Sequence, residues 1–102
     1  MTDYEVLSVI DTGNPIKKTK AARIKVLINA ETIDDATTML RNMAADLLGE
    51  NDMIVMFAYI ERDAVKWNGY IARVEHGKNE APKIYFDNNA ELRRALYQEF
   101  SA

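Results

Sequence analysis

Few side chains in this sequence can do acid–base or nucleophilic work. His76 is the only histidine and cysteine is absent, which excludes thiol catalysis, disulfides and Cys-based zinc or iron–sulfur sites. A single imidazole titrating near neutrality can serve as a general base in a cleft. Here it sits in His76-Gly77-Lys78-Asn79-Glu80-Ala81-Pro82, a loop-forming run in which a surface residue is the better reading. Trp67, the single tryptophan, lies beside Asn68 and close to Tyr70. With His76 these residues make up a candidate ligand pocket, although a core or rim aromatic is the usual explanation. Asp34-Asp35 and Glu50/Asp52 read as helix-end and turn residues, too sparse for a calcium site. No HExxH, P-loop, GxGxxG or GxSxG pattern occurs. No catalytic residue, metal ligand or cofactor is assigned.

Charge is the second chemical resource. Between Asp11 and Glu31 there are no acids but five bases, Lys17, Lys18, Lys20, Arg23 and Lys25, whereas the rest of the chain holds 8 basic and 16 acidic residues. A basic loop and strand of this kind can meet a phosphate backbone or an acidic protein surface. The preferred alternative is a solvated hairpin whose lysines discourage edge-to-edge strand pairing. Nucleic acid is not favoured as a partner. The net charge is −3, no basic recognition helix is visible, and no aromatic-rich strand accompanies the lysines.

The elements that must position these groups can be read along 102 residues that are 48% hydrophobic and 28% charged, enough for a single domain, 1–102, with one core. Tyr4–Ile10 and Arg23–Asn29 are strand-like, the second alternating Ile24, Val26 and Ile28 against Arg23, Lys25 and Asn29. Ile33, Ala36, Met39, Leu40, Met43, Ala44, Leu47 and Leu48 recur at helical spacing, with Thr32 as N-cap and Gly49 as terminator. Met53–Ile60 is apolar on both faces, as a central strand covered on both sides would be. Asn68–Glu75 and Lys83–Phe86 read as further strands, and a final helix runs from about Asn89 to Phe100.

The predicted class is α+β: a five-stranded, antiparallel-rich sheet in the order β-β-α-β-β-β-α, with two helices packed on one face. A crossover enclosing the first strand would give the order 2-1-3-4-5. The longest apolar run, Met53–Ile60, is too short to span a bilayer, and no signal peptide is visible. A cytoplasmic protein is the expectation. Two helices cover only one side of such a sheet, so the outer face should keep large apolar groups, with Leu27 and Ile71 adding to it. A patch of a few hundred Å² on that face would mark a partner site, unless residues 11–22 fold back over it.

YEVLSVIDTG followed by a basic loop and RIKVLINA resembles a small uncharacterised domain of bacterial and phage proteins. The likeness covers Tyr4–Ile10, Arg23–Asn29, Ile33–Leu48 and Met53–Tyr59. It implies a bacterial or mobile-element origin and supplies no functional residues. The leading expectation is a non-enzymatic interaction module that forms a homodimer or binds another protein. Its surface would comprise Leu27 and Ile71 with Lys17, Lys18, Lys20, Arg23 and Lys25. The alternatives are a small ligand-binding protein or enzyme of the dimeric ferredoxin-like type, and nucleic-acid binding through residues 17–25.

Overall fold

A computed structural model describes residues 4–30, 32–67 and 69–86, with the side chains of Ile33 and Trp67 left outside the description. The expected helix at 89–100 lies outside the described residues. In chain order the elements are β1 (Tyr4–Asp11), β2 (Ala21–Ile28), α1 (Ile33–Leu48), β3 (Met53–Tyr59), a 3-10 helix (Arg62–Trp67), β4 (Ala72–Gly77) and β5 (Lys83–Phe86). The fold is α+β, with one sheet of five strands. The sheet is mixed: β2 and β3 run parallel, and the other three neighbouring pairs are antiparallel. Among the described residues no helix is long and apolar enough to cross a membrane.

The helix forms where its periodicity and caps place it. Thr32 has extended backbone and its hydroxyl accepts from the Asp35 amide at 3.0 Å, satisfying one of the unpaired donors of the first turn. Asp34 and Asp35 lie at the positive end of the helix. Gly49 closes it at φ 52°, a conformation that costs glycine nothing. Ala36, Leu40, Met43 and Ala44 are buried against Ile24, Val26 and Ile28 of β2, Ile54, Met56 and Ala58 of β3, and Ala72 and Val74 of β4.

The strand order is β1-β2-β3-β4-β5, which corrects the expected 2-1-3-4-5. A helix of 16 residues spans about 24 Å, close to the length of an eight-residue strand at about 3.3 Å per residue. The chain therefore returns beside the start of β2, and Ala21 pairs with Met53. The burial patterns explain why β1 stays outside. β2 buries every second residue, whereas no residue of β1 is fully buried. The more apolar strand takes the interior place and the strand carrying Glu5, Ser8 and Asp11 takes the edge. A bulge falls between Val6 and Ser8.

The hairpin loop after β1 is closely knit. Asn14 caps a turn through its side chain, accepting from Ile16 N at 2.9 Å, while Thr19 Oγ1 accepts from Asn14 N at 3.0 Å. The loop is also tied to the turn before β3. Lys20 N donates to Asp52 Oδ2 at 2.9 Å, and Asp52 N donates back to the Lys20 carbonyl at 2.7 Å. A Cβ at Gly13 would stand 2.5 Å from the Thr19 carbonyl oxygen, a contact that backbone must move to relieve.

Two substitutions test this account. Leu40→Ala leaves a hole at a site with no solvent exposure and should lower stability by about 2–5 kcal/mol in urea unfolding. Gly13→Ala should destabilise the hairpin, read as faster hydrogen exchange at the Thr12, Thr19 and Lys20 amides than in the unsubstituted protein.

Candidate functional site

Cross-strand register decides which side chains share a surface, since paired residues point to the same face. The face turned from α1 carries Met53, Val55, Phe57 and Tyr59 of β3, as burial of Ile54, Met56 and Ala58 on the other side requires. Beside them stand Arg23, Lys25 and Leu27 of β2 and Arg73 and Glu75 of β4. The strip continues outward to Ile10 and Ser8 of β1 and to Lys83 and Tyr85 of β5.

One end of this face is closed by the protein's own chain. Tyr59 points to the open side yet is 1% exposed. The segment after β3 turns back over it, and the Tyr70 ring meets Phe57 and Tyr59 edge-on at 4.9 Å and 6.5 Å between centroids. Burial pushes the Tyr59 hydroxyl above its ordinary pKa, with Tyr70 adding to the shift. Arg62, from the 3-10 helix, reaches Glu5 on β1 at 2.7 Å. Leu27 lies in register between Glu5 and Tyr59 and is half-buried. Residues 60–67 and 69–71 thus provide the cover for which residues 11–22 are the alternative read from the sequence. The hairpin loop leaves Ile16 at its tip 92% exposed.

The other end of the face is open and mixes rings with cations. Along its border with the covered end run, in register, Ser8, Lys25, Phe57, Arg73 and Tyr85, with Phe57 partly covered by Tyr70. The adjacent row is Ile10, Arg23, Val55, Glu75 and Lys83. The Arg73 guanidinium lies 5.1 Å from the centre of the Tyr85 ring, within cation–π range, and its Nε is 4.0 Å from Glu75. Tyr85 and Met53 remain 45% and 42% exposed. The expected continuous apolar face is therefore shorter and more charged than the sequence implied.

The other expected site residues are dispersed. Ile71 does not add to the outer face: it is 6% exposed and belongs to the core, its amide donating to the Ala58 carbonyl at 2.8 Å. His76 is not a loop residue. It lies in β4 opposite Ile54, on the helix side, 8% exposed, and its Nδ1 has no hydrogen-bond partner among the described residues. Tyr70 covers the opposite face, so Tyr70 and His76 are separated by the sheet and do not line one pocket. Asn68 and the Trp67 side chain lie outside the described residues. Lys17, Lys18 and Lys20 are exposed on the hairpin loop, Lys18 at φ 55°, with Lys20 Nζ 3.8 Å from Glu50. An open hollow of about 590 Å³ lies at the loop's base between Val9, Asp11, Lys18, Lys20 and Asn51. Among the described residues no cluster of His, Asp or Glu could hold a metal ion.

The exposed edge is a further feature. Val6, Val9 and Ile10 of β1 are 39%, 62% and 51% exposed. By register Val6 and Val9 point to the helix side and Ile10 to the open side. The sequence reading placed Arg23–Asn29 at the edge and so missed this strand; the signal was the mixed polarity of Tyr4–Asp11. Comparisons with protein-family models, with curated proteins and with solved structures found no match.

The Glu5–Arg62 pair makes a pH prediction. Its hydrogen bond holds the Glu5 carboxyl below the ordinary carboxylate value and the Arg62 guanidinium above its own. A carboxylate with a depressed folded pKa stabilises above its unfolded value, about 4.3, and loses that contribution as pH falls through the folded one. Arg62→Ala should therefore lower the Tm slightly at pH 7, and the gap to the unsubstituted protein should close once Glu5 is protonated.

Proposed function

We propose that the protein is a non-enzymatic interaction module that self-associates by pairing its β1 edges across a twofold axis. The carrying observation is the eight-residue edge strand, Tyr4–Asp11, which exposes Val6, Val9 and Ile10 and contains neither lysine nor proline. Edge strands that stay monomeric are commonly protected by such residues. Among the described residues the strand carries Glu5 and Asp11 at its ends and a bulge between Val6 and Ser8, which distorts its middle but leaves Val6, Val9 and Ile10 exposed.

The order of residues favours a second copy as the partner. In an antiparallel pair that sets Val6 opposite Val9 of the other copy, Glu5 faces Ile10 and Tyr4 faces Asp11. Paired residues then share a face throughout, and no acid opposes an acid. Isologous pairing of this sort closes at two subunits. It joins the two sheets into one of ten strands and covers apolar groups on both sides of the edge. Association face to face through the open end would instead set Arg23, Lys25, Arg73 and Lys83 against their own copies.

Sedimentation velocity across a concentration series tests the proposal. The expected result is a species of twice 11.6 kDa at high concentration, converted to monomer by Val9→Lys with an unchanged far-UV spectrum. A monomer at every concentration overturns it. So does a dimer that survives both Val9→Lys and Ile10→Lys.

A further inference from the structure

We propose that the open end of the sheet is a binding site for single-stranded nucleic acid, with a base stacking on the exposed Tyr85 ring, Phe57 bordering the stack where it meets Tyr70, and phosphates meeting Lys25, Arg73, Arg23 and Lys83. This inference goes beyond self-association and is carried by a different observation: the register that sets Lys25, Phe57, Arg73 and Tyr85 in one row across four strands.

The charge balance selects a polyanion. Among the described residues the open end carries four cations against Glu75, which pairs with Arg73, and Glu5 at the covered end is already matched by Arg62. Of the described acids, Asp34, Asp35 and Asp46 are exposed on α1, on the far side of the sheet, while Asp63 of the covering segment lies near Lys66. A second copy of the same face is thus repelled, while a phosphate backbone is attracted and releases its counterions.

The rings separate nucleic acid from an acidic polypeptide. An acidic peptide needs cations only, and gains little from a half-exposed tyrosine ring packed beside a guanidinium. A base gains from every aromatic face it reaches, whatever its sequence. Phe57 and Tyr85 occupy the same row two strands apart, about 10 Å at the usual strand spacing, with the Arg73 guanidinium between them and already packed on the Tyr85 ring. A sheet surface carrying aromatic rings among cations is a recurrent way of holding splayed single-stranded bases. Among the described residues this strand-built surface presents no helix to enter a duplex groove, so single strands are preferred over duplexes. The charges are fixed as well as numerous: Lys25 and Arg73 project from interior strands, not from the hairpin loop.

The test uses fluorescently labelled 12-nucleotide thymidylate and uridylate oligomers, with a 12-base-pair duplex and polyglutamate as comparison probes, read by anisotropy at low salt. The expected result is binding of the single strands that weakens with salt, with a log–log slope on the order of −2 to −3 for three or four neutralised phosphates. Tyr85→Ala should weaken oligomer binding roughly fivefold to a hundredfold and leave polyglutamate unaffected, while Tyr85→Phe restores binding. Lys25→Glu with Lys83→Glu should lower affinity and flatten the salt slope. Tyr85 is exposed, so thermal unfolding of each variant should match the unsubstituted protein. No retention at low salt overturns the proposal. Equal binding of polyglutamate that ignores Tyr85→Ala identifies an acidic-protein surface and also overturns it. Loss of binding on charge reversal of Lys17 and Lys18, with Tyr85→Ala silent, moves the site to the hairpin loop and does the same.

Discussion

The parallel pairing of β2 with β3, bridged on one side by α1, is the constraint on which the other features depend. Its register, Ala21 with Met53 through Leu27 with Tyr59, sets Ile24, Val26 and Ile28 beside Met56 and Ala58 under the helix, where all five are nearly inaccessible to solvent. Burial of that set fixes the parity of both strands, because a slip of one residue would turn every apolar side chain outward. Arg23, Lys25, Phe57 and Tyr59 are thereby held on the remaining face, and β4 and β5 extend the same parity to Arg73 and Tyr85.

Given that parity, the chain treats the two ends of the outer face differently. At the end near Tyr59 it returns over the sheet, using Tyr70 as a cover and the Glu5–Arg62 pair as an exposed fastening to β1. Such a pair contributes little on its own; its effect is to choose where the returning segment lies. At the other end no described segment returns, and the apolar side chains of β3 alternate in register with cations. An antiparallel strand in a two-layer fold ordinarily alternates apolar and polar residues. β3 is apolar on both sides because each side has its own cover over part of its length.

The helix was legible in the sequence since spacing, N-cap and terminating glycine all depend on neighbours within a few residues. Strand existence was legible for the same reason. Strand order was not, because it turns on the relative apolarity of β1 and β2, which alternation alone does not rank. The row Lys25, Phe57, Arg73 and Tyr85 was equally hidden. Its members are spread over 61 positions of chain, from 25 to 85, and meet only through register. His76 was misread because Gly77 and Lys78 resemble a loop, while β4 runs on to Gly77 opposite Met53. Ile71 was placed outward by extending strand alternation through a stretch that β4 does not include. Self-association is expected from the sequence at the apolar sheet face and nucleic-acid binding at the basic stretch 17–25, the most conspicuous local signals; the structure places the hairpin loop at the sheet's end, bound to Asp52.

Segregation of charge across the sheet has a mechanical consequence of its own. With Asp34, Asp35 and Asp46 on one side and Arg23, Lys25, Arg73 and Lys83 on the other, these described charges of α1 and the sheet make a local electric moment across the sheet. Because the bearing strands and helix share one core, that moment cannot relax by local rearrangement. A field from a negative object exerts a torque on such a moment, which favours approach of the cation-bearing side first.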